Sequence, residues 1–316
     1  MAVLDCYYSE KIKKMSFIMA FMVLVIHSTY DGIEAYPFAY WFQNFFKYGV
    51  CRVAVPTFFL FSGFLFFKSI GNWQDCLPKI KKRISTLLVP YLLWNLIFVL
   101  IYFVLYLLPL QRFVNNTQVV TVILAYLRDY DILRVLSYLY FPQPVNVILW
   151  YVRDLFVFII LTPLLFLILN NRRSTEAFIA IIAVLTCAFY NNTLNGLFFF
   201  LSGAFIALHK DLDWFSELCS KAFIPALGIY MILSFYAPFN SIQNFTFLLL
   251  HIAGVMSVWR LYDLFACRIR IPEKYLGYSF WVYCFHMPFY NILKKLNVAL
   301  FGGGNFNTVY TLSSAQ

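Results

Sequence analysis

The chain has 316 residues, 62% of them hydrophobic, 21% aromatic and only 12% charged, and its mean hydropathy is +0.75. These values exclude an ordinary soluble globular domain, in which about 25% of residues are charged, and point to an all-α, polytopic membrane bundle. The net charge of +10 is then a matter of topology, since short cytoplasmic loops collect lysine and arginine, and it does not imply a nucleic-acid partner.

Apolar runs long enough for a membrane helix of about 17–25 residues fall near 15–31, 51–70, 84–109, 147–169, 176–190, 194–209, 222–238, 244–265 and 275–296. These nine expected spans fill the chain as one integral membrane domain, 1–316. The first has a long apolar run and no small-residue cleavage pattern before Asp31, so it reads as a retained helix and not a signal peptide. It carries His27, and an ionisable group within a bilayer helix costs about 2.5–3.5 kcal/mol, which makes function its default reading. At 100° per residue Lys13 falls within about 40° of His27 and about 20 Å away along the axis, whereas Lys14 falls on the far face. The alternative is a snorkelling lysine and a histidine hydrogen-bonded to a neighbouring helix.

The second span opens at Arg52, where an interfacial anchor is the competing reading. The longest connection, 110–146, contains an amphipathic stretch from Val119 to Tyr140 with Arg128, Asp129, Asp131 and Arg134; it either lies along the interface as a helix or re-enters the bilayer. Arg153 stands about 9 Å into the fourth span, and Asp154, about 100° away around the helix, is not assigned as its partner. The fifth and sixth spans, joined by Asn191, Asn192 and Thr193, read as a helical hairpin. His209 and His251 carry little weight, the first at a helix end and the second without a neighbouring motif. Arg260 and Asp263, three apart, read as a stabilising pair. His286 lies about 17 Å along the ninth span. Pro56, Pro90, Pro163 and Pro288 are placed to bend their spans.

Lys11, Lys13 and Lys14, then Lys79, Lys81, Lys82 and Arg83, then Arg172 and Arg173, then Arg268, Arg270 and Lys274 all fall on one side of this arrangement, which puts the N-terminus in the cytoplasm. The seven cysteines include no pair placed for an external disulfide, and no Cys/His cluster has metal-ligand spacing.

Five pieces of sequence occur in order: Val25-Ile26-His27; Arg52 followed by Pro56, Phe58, Phe59 and Ser62-Gly63-Phe64; Leu149-Trp150-Tyr151-Val152-Arg153; Ser202-Gly203-Ala204; and Leu276-Gly277-Tyr278-Ser279-Phe280 leading to His286. Together they resemble the integral membrane acyltransferase family 3. The resemblance implies a bundle of ten helices in the bacterial cytoplasmic (inner) membrane. The implied reaction moves an acyl group, usually acetyl, from cytoplasmic acyl-CoA to a hydroxyl of an envelope or surface glycan or a lipid-linked sugar. Acyl-CoA is the co-substrate, no permanently bound cofactor or metal is expected, and membrane lipids surround the bundle. The family's first-helix motif sets a basic residue eleven positions before its histidine; His27 matches the histidine, but that position holds Ser16, so Lys13 is the proposed substitute. Only nine spans are visible before Gly302-Gly303-Gly304, and either a tenth helix is missing or the chain is a nine-helix variant.

Attack of a hydroxyl on a thioester needs a base with a pKa near neutrality and a donor for the developing oxyanion. His27 is the expected base, or a covalent acyl carrier; Arg52 and Arg153 are the expected oxyanion or sugar contacts. Lys13, Ser62, Trp150 and His286 are the expected substrate-binding residues. The competing function is a glycan transporter or export component, although no internal repeat of the kind transporters show is evident.

Overall fold

A computed structural model describes residues 6–28, 33–107, 117–129, 131–140, 144–189, 191–239 and 244–286, and among them all regular structure is helical. The helices are α1 (Cys6–His27), α2 (Pro37–Asn44), α3 (Ala54–Phe67), α4 (Cys76–Arg83), α5 (Val89–Leu107), α6 (Thr117–Arg128), α7 (Ile132–Tyr140) and α8 (Trp150–Ile160). They continue as α9 (Thr162–Leu169), α10 (Arg172–Ala188), α11 (Asn192–His209), α12 (Leu212–Lys221), α13 (Phe223–Tyr236), α14 (Asn244–Phe265) and α15 (Glu273–Leu276), after which 279–286 are again helical. The chain's end and Pro288 lie outside the described residues.

Among the described residues, four helical stretches are long and apolar enough to cross a membrane: Pro37–Phe67, Trp73–Val104, Asn192–His209 and Asn244–Arg268. Two broken pairs, α8 with α9 and α12 with α13, add two more if each is one span. Their exposed surface is apolar, as Leu100, Leu164 and Ile232 show, which suits a lipid surround. The protein is a multi-pass membrane bundle.

Proline explains where the helices lose regularity. The pyrrolidine ring removes a hydrogen bond to the carbonyl four residues back and collides with it. Before Pro56 the backbone passes through a π turn, Phe45–Gly49, and a 3-10 turn, Val50–Val53. Another π turn, Ile84–Leu88, precedes Pro90, and the break between α8 and α9 precedes Pro163. Helix starts are fixed by side-chain caps: Asn171 accepts from the Arg173 and Ser174 amides, Asn191 from Leu194, and Asp211 from Trp214, each holding amides that have no partner within the helix.

The chain divides into two compact units. In the first, residues 1–79 and 158–287, α3 packs against α11 around Phe59, Phe67 and Phe200. Gly63 and Gly203 make that crossing possible. A methyl on Gly63 would land on the Phe200 carbonyl, and one on Gly203 on the Leu60 carbonyl and the Phe64 amide. Small residues let membrane helices approach this closely, since no hydrophobic force drives them together in lipid. The Ser-Gly pieces of the sequence therefore have a packing role.

In the second unit, which among the described residues covers 80–157, the connection expected at the interface forms the paired helices α6 and α7. Ile123, Val135 and Leu139 bury a small core with Val99 of α5. Nearby, Tyr91 donates to the Tyr140 carbonyl at 2.7 Å, and the Asn146 amide donates to Asn95 Oδ1 at 3.0 Å.

Candidate active site

His27 is the last residue of α1, where the helix ends and Ser28 turns its hydroxyl back onto the Leu24 carbonyl at 2.8 Å. Its half-buried ring lies 5.1 Å from that of His286, centroid to centroid, at an angle of 39°. His286 is only 3% exposed, and its Nδ1 is 2.6 Å from the Tyr283 carbonyl. A carbonyl can only accept, so Nδ1 carries the proton and Nε2 of the neutral ring presents a lone pair. That Nε2 is buried with no hydrogen-bond partner among the described residues. Two imidazoles more than 250 positions apart in sequence thus meet, one with its tautomer fixed.

Arg52 reaches the same region from the 3-10 turn before Pro56, a turn that packs against both α1 and α14. The turn is pinned from α13, where the Tyr230 hydroxyl donates to the Val50 carbonyl and Ser234 fits against Gly49. Irregular helical turns of this kind recur at functional sites. The guanidinium lies 5.5 Å from the Tyr48 ring centroid and within electrostatic reach of both His27 and His251. Lys47 also acts on His27, so the cluster is cationic on one side.

Two further expected residues of the first unit, Ser62 and Lys13, fall elsewhere within it. Ser62 is half-buried in α3, ten residues and about 15 Å along the chain's helical path from Arg52. Lys13 is exposed on α1. The lysine that α1 does bury is Lys11: fully enclosed, it pairs with Asp263 at 2.5 Å and sits 3.6 Å from the centroid of the Trp259 ring. Sequence reading passed over it because helical phase says which face a residue takes and not which partner that face meets. The expected pair of Arg260 with Asp263 is present at 3.9 Å, and Lys11 is the closer partner of that carboxylate.

Trp150 and Arg153, at the start of α8, belong to the second unit. Arg153 binds Asp154 Oδ1 through both Nε at 2.8 Å and Nη2 at 2.7 Å, correcting the expectation that helical phase separates them. A flexible arginine stem spans the 100° step that a short side chain would not. His209 takes a structural place, with Nε2 2.8 Å from the Leu169 carbonyl and 3.1 Å from Thr175 Oγ1.

His251 is the residue sequence reading undervalued. It is 3% exposed on α14, with Nδ1 3.2 Å from Asn195 Oδ1 of α11 and its Nε2 without a partner among the described residues. The signal was available, because a histidine seven residues into an apolar span is itself an unusual placement.

A family model described as an acyltransferase domain, that of acyltransferase family 3, matches residues 16–314. The chain belongs to that family. It is accordingly a membrane acyltransferase, and the cluster around His27 is where its geometry offers proton-accepting groups beside a cation. The chain is also 25% identical over 307 residues to the succinoglycan biosynthesis protein ExoH of Rhizobium meliloti (strain 1021), covering 90% of this chain and 79% of that protein. No solved structure matches it.

Proposed function

We propose that this acyltransferase moves an acyl group, acetyl in the simplest case, from cytoplasmic acyl-CoA to a hydroxyl of an envelope or surface polysaccharide or its lipid-linked precursor, in the bacterial inner membrane. The observation that carries the reading is the contact between His27 and His286 beside Arg52. His27 takes the proton of the attacking hydroxyl, the base role for which imidazole is suited near neutral pH, and as the new ester C–O bond forms the thioester C–S bond breaks and CoA departs as its thiol with that proton. Arg52 supplies positive charge where the thioester oxygen becomes anionic. His286, its Nδ1 proton held by Tyr283, offers a fixed lone pair that orients the hydroxyl or receives the proton in relay. Arg153 and Trp150, and Lys13 and Ser62, are assigned to substrate contacts, with Lys13 standing in for the basic residue that the family motif places at position 16 and facing the anionic end of acyl-CoA. The relationship to a succinoglycan biosynthesis protein favours a polysaccharide acceptor.

Proteoliposomes with radiolabelled acetyl-CoA on one side and oligosaccharide acceptor on the other test this directly. Acetyl-CoA-dependent labelling of the oligosaccharide is expected. Movement of unlabelled oligosaccharide in the absence of acetyl-CoA, with no labelling when it is present, would overturn the reading in favour of transport.

A further inference from the structure

The unmade hydrogen bonds of the first unit gather around one turn. Buried side-chain atoms normally find partners, and one left without a partner costs about 1–3 kcal/mol unless a ligand or water completes it. Ser234 Oγ, fully buried beside Gly49, has no partner among the described residues. Neither has His251 Nε2, nor His286 Nε2. All three lie on elements close to the segment that presents Arg52 or to His27. His251 is the most constrained of them. Asn195, itself 4% exposed, takes the Nδ1 proton at its amide oxygen, and the rings of Phe199 and Phe247 flank the imidazole with centroids 6.4 Å and 6.0 Å away. Asn195 and the Phe rings hold the ring in one tautomer and one orientation, with the acceptor nitrogen empty.

A neutral imidazole nitrogen with a lone pair accepts a hydrogen bond from a hydroxyl, and a guanidinium carried by the turn that packs against α14 donates to a hydroxyl or ring oxygen. A vicinal polyol matches that pair. A carboxylate would meet the lone pair of His251 unfavourably, and an ammonium would be repelled by Arg52. We propose that His251, held by Asn195, is a binding residue for the acceptor sugar: its Nε2 accepts a hydrogen bond from a sugar hydroxyl while Arg52 donates to a neighbouring oxygen. The inference rests on the glycan-acylation reading above and names where the acceptor is held. His251 binds the sugar and takes no part in proton transfer to the thioester.

The test is saturation-transfer NMR of methyl β-D-glucopyranoside with the full chain in nanodiscs, without acyl-CoA. Wild type is expected to bind; His251→Leu, which keeps the volume and removes the acceptor, is expected to lose about tenfold or more in affinity. His251→Gln, whose amide oxygen can accept, is expected to recover most of that loss. Should the leucine variant not fold, wild type labelled with 15N-histidine gives a second readout: the Nε2 resonance of His251 is expected to move on titration with the glycoside. No binding by wild type, equal binding by the leucine variant, or an unmoved His251 resonance would overturn the proposal. His251-dependent binding in a protein that never transfers acyl groups would instead sink the acylation reading and leave the sugar subsite standing.

Discussion

Replacing Gly63 or Gly203 by alanine should separate the two helices that carry the core of the first unit. The added methyl has nowhere to go: at 63 it meets the Phe200 carbonyl and at 203 the Leu60 carbonyl and Phe64 amide, all backbone atoms that no rotamer change can move. Parting the helices by about 0.5–1 Å forfeits a quarter to a half of each dispersion contact of about 0.1–0.2 kcal/mol. Over on the order of twenty such contacts that is roughly 1 kcal/mol, and residual strain raises the cost of an overpacked site to about 1–3 kcal/mol. Because one parted interface accommodates both methyls, the double variant should cost less than the sum of the two. Gly228→Ala is the control: nothing lies within 4 Å of its added methyl, and a helical glycine replaced by alanine gains up to about 1 kcal/mol. Unfolding by titration with a denaturing detergent, followed by tryptophan fluorescence, measures the four variants against the wild type. Gly63→Ala and Gly203→Ala as stable as Gly228→Ala, or two fully additive losses, would refute the close crossing of α3 and α11.

The lysines of α1 should separate by role. Lys11→Met leaves Asp263 without its closest cation in a largely buried pair and should cost about 3–5 kcal/mol of stability, whereas Lys13→Met should leave stability unchanged within about 0.5 kcal/mol and weaken acyl-CoA binding, measured by isothermal titration. Equal stability of the two variants would contradict the burial of Lys11. Tyr230→Phe removes the hydroxyl that holds the Val50 carbonyl and should lower acyl transfer through a looser Arg52 turn while costing about 0.5–1.5 kcal/mol of stability; an unchanged rate would show that the turn holds Arg52 without it.

Much of the fold was legible because a membrane span is written locally. The apolar run at 194–209 became α11, Asn192–His209, and the run at 244–265 coincides with α14, Asn244–Phe265. Pro56, Pro90 and Pro163 marked departures from regular helix, since proline's missing amide acts on its own chain. Phase on one helix was less informative. It put Lys13 on the His27 stripe, but exposure depends on which neighbour packs there, and the buried lysine is Lys11. The pairings that the sequence did not show join residues far apart: His27 with His286 and His251 with Asn195 in the site, and Lys11 with Asp263 at the other end of α1. No local periodicity encodes such distances, so rare placement in apolar spans singled out His27 and His286, and Arg52 was read from the opening of its span, while only the fold showed the two histidines as neighbours and added His251.

The central claim is that His27 takes the proton during acyl transfer, and the most direct measurement is the rate of acetyl transfer from acetyl-CoA to oligosaccharide by His27→Ala in proteoliposomes. Loss of a general base should lower that rate by about 100-fold or more, with acetyl-CoA binding and detergent stability retained. A variant that folds, binds acetyl-CoA and transfers acetyl at the wild-type rate would contradict the account.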